Sequence, residues 1–241
     1  MSRLRVAWVA AVLALCAAGA NADSLPLPDT LTGFSTPEGE AYFAESDARE
    51  AYFPLASNFV TQKTQTYCGV ASMVMVLNAL GLPAPAAPEY APYRTFTQDN
   101  LLSEQTDVVL PRETLARQGM TLDQLGAILA TQPVHAEVRH ASESSADGFR
   151  QLASAYLREP GHFVLVNYLR KAMGEQAGGH ISPLAAYDAK ADRFLILDVA
   201  RYKYPPVWVR TADLFAALNT PDAVNDNKTR GFVLVTAAPV Q

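Results

Sequence analysis

Cys68 lies at the front of an apolar run in the stretch "TQKTQTYCGVASMVMVLNALG" (residues 61–81), where a thiol can carry nucleophilic chemistry. The apolar residues after it recur at helical spacing, so the sequence predicts a buried helix that begins at the cysteine. A thiol attacks as the thiolate, and the dipole and free N–H groups of a helix start favour that negative charge. The alternative is a cysteine that serves only as a small buried hydrophobic side chain. The cysteine by itself does not separate these two interpretations.

His180 and Asp198 supply the two groups that a nucleophilic thiol needs. The strand-like segments "ISPLAAYD" and "RFLILD" are joined by the turn "DAKAD", and folding the chain back about Lys190 brings His180 level with residues 198–200. An isolated carboxylate inside the apolar run "LILDVA" is costly without a partner, and an imidazole is such a partner. The imidazole would take the thiol proton and the carboxylate would orient the ring, as in nucleophilic acyl transfer.

Gln62 is a candidate for stabilising the charge that develops during such an attack. It lies six residues before Cys68 in the same segment. Its side-chain amide, together with the backbone N–H of Cys68, can donate hydrogen bonds to an oxyanion. The sequence therefore predicts an oxyanion hole beside the nucleophile.

The elements that must position these side chains change character along the chain. A short helix is predicted near Glu38 to Glu50, and a helix from Cys68 to Leu80 with a stop at Gly81 and Pro83. Two further helical regions are predicted from about Arg112 to Ala130 and from about Ser144 to Leu157. After Pro160 and Gly161 the sequence predicts strands: "HFVLVNYL", "ISPLAAYD", "RFLILDVA", "PVWV" and "GFVLVTAA". A helical N-terminal half followed by a β-rich half favours an α+β fold, with the nucleophile at a helix start packed on an antiparallel sheet.

The N-terminus has the pattern of a secretory signal peptide. Arg3 and Arg5 precede an apolar stretch, which is followed by Ala20-Asn21-Ala22, so cleavage is expected after residue 22 and the mature domain spans residues 23–241. A lipoprotein signal at Cys16 is disfavoured by Leu15 before it, and a membrane anchor would need roughly 20 apolar residues. Export to a bacterial periplasm is therefore predicted. Cleavage would leave Cys68 as the sole cysteine, unable to form an internal disulfide.

Composition excludes some classes of function. The 241-residue chain is 49% hydrophobic with a net charge of −5, which suits one compact domain and lacks the basic footprint of a nucleic-acid binder. The other histidines show no metal-ligand spacing, so no protein metal site is predicted; they are His135, His140 and His162.

Several stretches carry a resemblance to a known family. The order Cys, His, Asp on a helix-then-sheet layout is that of papain-like acyl-transfer enzymes, although the second cysteine and the aromatic residue of papain itself are absent. "TQKTQTYCGVASMVMVLNALG", "VNYLRK", "GGHISPLAAYD" and "LILDVARYKYPPVWV" resemble the catalytic domain of phytochelatin synthase, a glutathione γ-glutamylcysteinyltransferase, over about residues 53–240. The resemblance implies a papain-like fold. It also implies a cysteine that attacks glutathione, releases glycine and passes the γ-glutamylcysteinyl group to water or to another glutathione.

The resemblance also implies roles for individual residues. The nucleophile, general base, orienting carboxylate and oxyanion donor correspond to Cys68, His180, Asp198 and Gln62. The positions that hold the γ-glutamyl end are Asn167, Gly179, Asp222 and Arg230. A γ-glutamyl head carries an ammonium and a carboxylate, which a carboxylate and a bidentate guanidinium would pair. Arg201 and Tyr67 would serve the acceptor substrate.

The resemblance is to the short bacterial form of the family, which lacks the cysteine-rich region of eukaryotic members, and it implies strong hydrolysis with weaker polymerising transfer. The expected partner is glutathione, with no nucleic acid and no stable membrane insertion after signal cleavage; a homodimer is left open. No tightly bound cofactor is expected, and cadmium or zinc would enter as a thiolate of glutathione. The alternatives are an exported cysteine peptidase acting on other peptides and a non-catalytic thiol protein that buffers metal. A single cysteine makes a poor soft-metal site.

Overall fold

A computed structural model describes residues 24–176 and 178–239. The predicted signal peptide, residues 1–22, lies outside the described residues and stays a prediction. Within the described ranges, none of the helices has both the length and the apolar character required to cross a bilayer.

The described residues form eight α-helices and seven β-strands. The helices are α1 (Pro37–Glu45), α2 (Tyr52–Ser57), α3 (Cys68–Ala79), α4 (Glu104–Val109), α5 (Arg112–Gln118), α6 (Leu122–Leu129), α7 (Ala146–Arg158) and α8 (Thr211–Leu218). The strands are β1 (Leu31–Gly33), β2 (Val134–His140), β3 (His162–Leu169), β4 (Gly179–Asp188), β5 (Arg193–Ile196), β6 (Val207–Arg210) and β7 (Gly231–Ala237). The predicted α+β class is confirmed.

The strands form one sheet in the order β1-β6-β5-β4-β3-β7-β2, and every neighbouring pair is antiparallel. The predicted antiparallel sheet is therefore confirmed, whereas the papain-like superfamily stays a prediction. The two edge strands of the sheet, β1 and β2, were not predicted from the sequence. The β2 sequence, "VHAEVRH", is polar and mostly half-buried, since an edge strand does not need two apolar faces.

The helical region predicted from Arg112 to Ala130 consists of two helices, because the chain breaks there between α5 and α6. Gly119 ends α5 with a φ of 77°, a left-handed conformation that glycine adopts without strain. Thr121 then starts α6, where its side chain and that of Gln124 form a reciprocal capping box. Helical periodicity runs through this break, so periodicity alone does not reveal it.

Helix α3 is the central helix of the protein and packs against β4. Its first ten residues, Cys68 to Leu77, are all buried. The predicted helix start at the cysteine is confirmed, and Gly81 follows its end with a φ of 64°, as expected of a glycine after a C-cap. Because α3 is enclosed along nearly its whole length, the thiol at its start has a fixed position.

Candidate active site

Cys68 is the first residue of α3 and is 7% exposed. One turn later, Ser72 Oγ donates to the carbonyl oxygens of Cys68 (2.8 Å) and of Ile181 (3.1 Å). Ile181 follows His180 on β4, so a single hydroxyl joins the helix that carries the thiol to the strand that carries the imidazole. This hydroxyl therefore ties the two elements together next to the thiol.

His180 and Asp198 are brought together as the hairpin prediction required. Strands β4 and β5 pair about the turn that contains Lys190, and His180 Nε2 lies 2.8 Å from Asp198 Oδ1. One detail differs, because β5 ends at Ile196 and Asp198 lies just beyond the strand. There Asp198 Oδ1 also accepts a hydrogen bond from the backbone N–H of Ala200 at 2.8 Å. Since Nε2 faces Asp198, Nδ1 is left for the thiol.

The three groups perturb one another's pKa values. Burial alone would raise the pKa of the Cys68 thiol, but the hydrogen bond and charge of His180 and the N–H of Gly69 bring it below its ordinary value. Burial would lower the pKa of His180, yet the Asp198 carboxylate reverses this and raises it to about 9. Burial opposes ionisation of Asp198 as well, but the charges of His180 and Arg170 lower its pKa to about 2. The site favours a thiolate next to an imidazolium.

Arg170 and Glu175 complete a buried charge network that the sequence analysis did not identify. Arg170 Nη2 donates to both oxygens of Asp198, at 2.9 and 2.7 Å, and Nη1 donates to Glu175 Oε2 at 2.5 Å. Both side chains are buried. An "RK" pair directly after a strand is typical of an exposed turn, so the local sequence holds no signal for this placement.

Gln62 lies beside His180, but its amide is already engaged. Its backbone N–H donates to the carbonyl of Val199 at 2.9 Å, which ties it to the segment after Asp198. Its Nε2 donates to the Thr64 carbonyl and to the Tyr202 hydroxyl, both at 2.9 Å. The predicted oxyanion role requires one of these two hydrogen bonds to be exchanged.

The four residues expected to hold the γ-glutamyl end line one cavity together with Cys68 and His180. This cavity of about 200 Å³, the Cys68 cavity, includes Asn167, Gly179, Asp222 and Arg230. Asn167 is paired with Ile181 on β4 and with Gly231 on β7, which places it in the middle of the sheet. The structure thus brings together residues that lie far apart along the chain, from Cys68 to Arg230.

Asp222 and Arg230 present opposite charges inside the Cys68 cavity. Arg230 Nη2 lies 3.5 Å from Asp222 Oδ1, and Nη1 donates to the Thr220 hydroxyl and the Pro221 carbonyl. Arg230 Nε is buried without a partner among the described residues. A Cβ at Gly179 would lie 3.3 Å from Arg230 Nη2, so the absence of a side chain there lets the guanidinium approach the strand.

A second, polar cavity of about 340 Å³ adjoins the first and is called here the polar cavity. Its lining includes Gln62, Arg170, Tyr202 and Lys203, and it shares Gln65, Gly179 and His180 with the Cys68 cavity. The imidazole therefore borders both spaces. Another cavity, of about 640 Å³, lies between the loop at Phe59 and the segment at residues 95–99, and neither Cys68 nor His180 lines it.

The two residues expected to serve an acceptor lie outside both of these cavities. The exposed Arg201 guanidinium stacks on the Phe59 ring, 4.6 Å from its centre. Tyr67 is the N-cap residue of α3 and is half-buried. Their neighbours Tyr202, Lys203 and Gln65 line the polar cavity instead. Among residues 24–176 and 178–239, no three histidine, cysteine or acidic side chains are grouped so as to hold a metal ion.

Comparison with known proteins matches the chain to one family. The family model described as phytochelatin synthase covers residues 22–232. The chain is 33% identical over 225 residues to glutathione gamma-glutamylcysteinyltransferase 3 of Lotus japonicus, covering 92% of this chain and 45% of the relative. It is 33% identical over 216 residues to glutathione gamma-glutamylcysteinyltransferase 1 of Arabidopsis thaliana, covering 88% and 43%. It is 26% identical over 212 residues to a Schizosaccharomyces pombe protein of the same name, covering 87% and 50%. The chain thus spans about half the length of these relatives or slightly less.

Proposed function

The chain belongs to the phytochelatin synthase family, and on that premise we propose that it is a glutathione γ-glutamylcysteinyltransferase and hydrolase. The Cys68 thiolate attacks the carbonyl carbon of the cysteinyl–glycine bond of glutathione. His180 protonates the departing amine, so glycine leaves and a γ-glutamylcysteinyl thioester remains on Cys68. Water or the amine of a second glutathione then attacks the thioester, giving up a proton to His180 and restoring the thiolate.

The observation that carries this proposal is the charge pattern of the Cys68 cavity. The thiol and imidazole open into a space that also contains the Asp222 carboxylate and the Arg230 guanidinium. The γ-glutamyl head of glutathione carries an ammonium and a carboxylate, which these two groups complement. The buried, unpartnered Nε of Arg230 offers a further donor to a bound carboxylate.

The polar cavity supports a route for the second reactant. Once the donor fills the Cys68 cavity, water or an amine must reach the thioester from another side. The polar cavity shares His180 with the Cys68 cavity, so a nucleophile arriving there meets the base that must take its proton. Lys203 gives this cavity positive charge, which suits a carboxylate of a second glutathione.

The proposal also includes the cellular location of the protein and the role of metal ions in the reaction. The basic, apolar and A-x-A pattern of residues 1–22 supports export and cleavage after Ala22, leaving residues 23–241 as the catalytic domain. Cadmium or zinc would act as part of the substrate, as a glutathione thiolate complex. The homodimer stays a prediction that light scattering of the purified protein would test.

The proposed function is tested by incubating the purified protein with glutathione and measuring glycine release and intact mass. We expect a γ-glutamylcysteinyl adduct on Cys68, glycine release by the wild type and by the surface control Glu45→Gln, and neither adduct nor glycine with Cys68→Ser. Longer (γ-Glu-Cys)n-Gly products on adding cadmium would show transfer as well as hydrolysis. If Cys68→Ser released glycine at the wild-type rate, Cys68 would not be the nucleophile.

A second substrate tests the γ-glutamyl assignment separately. The isomer of glutathione in which glutamate is joined through its α-carboxyl group has the same atoms but a differently placed ammonium and carboxylate. We expect release of glycine from this isomer to be at least tenfold slower, because its charges no longer meet Asp222 and Arg230 together. Equal rates on both isomers would favour a cysteine peptidase of broader specificity.

A further inference from the structure

Arg170 and Glu175 form a buried ion pair behind the proposed catalytic residues. The exposed fractions of their side chains are 3% and 0%, and Arg170 Nη1 donates to Glu175 Oε2 at 2.5 Å. Asp198, on the other side of the guanidinium, is also fully buried and accepts two hydrogen bonds from Arg170 Nη2. One guanidinium is therefore shared between two carboxylates away from water.

Stability alone does not account for such an arrangement. Removing charges from water costs several kcal/mol per ion, and apolar side chains of similar volume often stabilise a fold as well or better. The Arg170–Asp198 contact already gives the guanidinium one carboxylate partner, which it shares with His180. Glu175 adds a second buried negative charge, and its Oε1 has no hydrogen-bond partner among the described residues. A role in positioning the neighbouring side chains would explain why this carboxylate is buried here.

We propose that Glu175 is a positioning residue: its carboxylate holds Arg170, and Arg170 in turn holds the Asp198 carboxylate against the imidazole of His180. The geometry supports this chain of contacts because Glu175 occupies Nη1 and so leaves Nη2 to face both oxygens of Asp198. With both ends of the fork anchored, the guanidinium has one orientation. The proposal rests on the proposed function for the roles of Cys68 and His180.

The segment that carries Glu175 is itself closed on Arg170. The backbone N–H of Glu175 donates to the Arg170 carbonyl at 3.2 Å, and the Arg170 N–H donates to the Gly178 carbonyl at 3.0 Å. The N–H of Gln176 donates to the Tyr204 hydroxyl at 2.8 Å, and the Tyr204 ring lies 5.0 Å from the guanidinium carbon. Glu175 therefore points inward from a loop whose ends are tied, which fixes the reach of its carboxylate.

The same arrangement sets the charge seen by His180. The titratable groups around it are Asp198, Arg170, Cys68, Glu175 and Tyr168; the Tyr168 ring packs edge-on against the imidazole with 5.6 Å between ring centres. Burial raises the pKa of Glu175, while the charges of Arg170 and His180 oppose that rise and favour the carboxylate. The carboxylate in turn favours the imidazolium. Removing that carboxylate leaves the charge of Arg170 less neutralised, and His180 should then lose its proton at a lower pH.

The test compares Glu175→Gln, which keeps the shape and removes the charge, with the matched control Glu45→Gln. Glu45 is an exposed carboxylate that pairs with Lys190 on the surface. The pH at which His180 titrates is followed by NMR of the histidine side chains in the full chain, without glutathione. We expect the wild-type and Glu45→Gln midpoints to agree and the Glu175→Gln midpoint to fall by about one pH unit.

The proposal is overturned if His180 titrates in folded Glu175→Gln at the same pH as in the wild type. It is also overturned if the His180 midpoint shifts equally in Glu45→Gln. If Glu175→Gln does not fold, Glu175→Asp replaces it: the shorter side chain draws back from Arg170, so a smaller shift in the same direction is expected and an unchanged midpoint overturns the proposal. The rate of glycine release, measured in parallel against pH, should begin its decline at high pH at a lower pH value in Glu175→Gln than in the wild type. Because the NMR titration needs no substrate, failure of this proposal and failure of the proposed function give different results.

Discussion

Replacing Cys68 by serine should change how stability depends on pH, because it removes one partner of an ion pair. In the folded wild type the thiol pKa is lowered and the His180 pKa is raised to about 9 from 6.5. Near pH 7.5 the folded protein therefore holds its proton on His180, whereas the unfolded chain holds it on the cysteine. The two states bind the same number of protons at this pair, so the pair adds little pH dependence to the unfolding free energy.

In Cys68→Ser the serine does not titrate, and only His180 remains. Its folded pKa stays above the unfolded value because Asp198 still faces Nε2 at 2.8 Å. A raised histidine pKa gives stability that is fully present below pH 6.5 and is lost as the pH rises towards 9. The folded state then binds one more proton than the unfolded state, so the unfolding free energy falls by about 1.4 kcal/mol per pH unit. The pKa of about 9 includes a hydrogen bond with Cys68 that the variant lacks, so the window in the variant is narrower and the total loss stays below about 3 kcal/mol.

The assay is urea unfolding of the wild type and of Cys68→Ser at several pH values between 6.5 and 9. Groups other than the pair are common to both proteins, so the difference between the two curves isolates the pair. Glu45→Gln is the control, because it changes an exposed carboxylate away from the pair and should leave the pH dependence contributed by the pair as in the wild type. Parallel curves for the wild type and Cys68→Ser would refute the argument, since they would mean that folding does not move a proton from the thiol to the imidazole.

Three further substitutions test the geometry of the site and the sheet. Gly179→Ala would place a Cβ 3.3 Å from Arg230 Nη2, so we expect a severalfold higher KM for glutathione in glycine-release kinetics without a change in Tm. Gly231→Ala would place a Cβ in steric overlap with the Arg139 carbonyl oxygen, where β7 pairs with β2. Urea unfolding should then show that the unfolding free energy is lower by about 2 kcal/mol or more. An unchanged unfolding free energy would mean that the two strands move apart without cost. Gln65→Ala removes a side chain that lines both cavities, so the product ratio of γ-glutamylcysteine to longer peptides should change, and an unchanged ratio would argue against nucleophile entry through the polar cavity.

Strong local patterns made much of the fold predictable. Strand β3 was predicted to the residue, and α3 began at Cys68 as expected, because a continuous apolar run or a helical apolar face leaves few alternatives. Strand β2 was missed since its edge position tolerates a polar sequence. The break between α5 and α6 was missed because Gly119 and Thr121 interrupt a periodicity that resumes in register.

Part of the candidate site was likewise predictable from the sequence, and part of it was not. Pairing of His180 with Asp198 was predictable, because a short turn sets the register of a hairpin and a carboxylate in an apolar run needs a partner. The buried positions of Arg170 and Glu175 were not, because burial there depends on the rings of Tyr168 and Tyr204, which cover the guanidinium. Nothing in the local sequence distinguishes that arginine from one in a solvated turn.

The sequence by itself determined a thiol at a helix start, an imidazole and a carboxylate on one hairpin, and the family to which the chain belongs. Those features depend on local periodicity, turn register and residue identity. The tertiary structure decided that Gln62 bonds Tyr202, that Arg201 stacks on Phe59, and that a buried Arg170 stands behind Asp198. Each of these contacts joins segments far apart in the chain, and such contacts form only when the helices pack on the sheet.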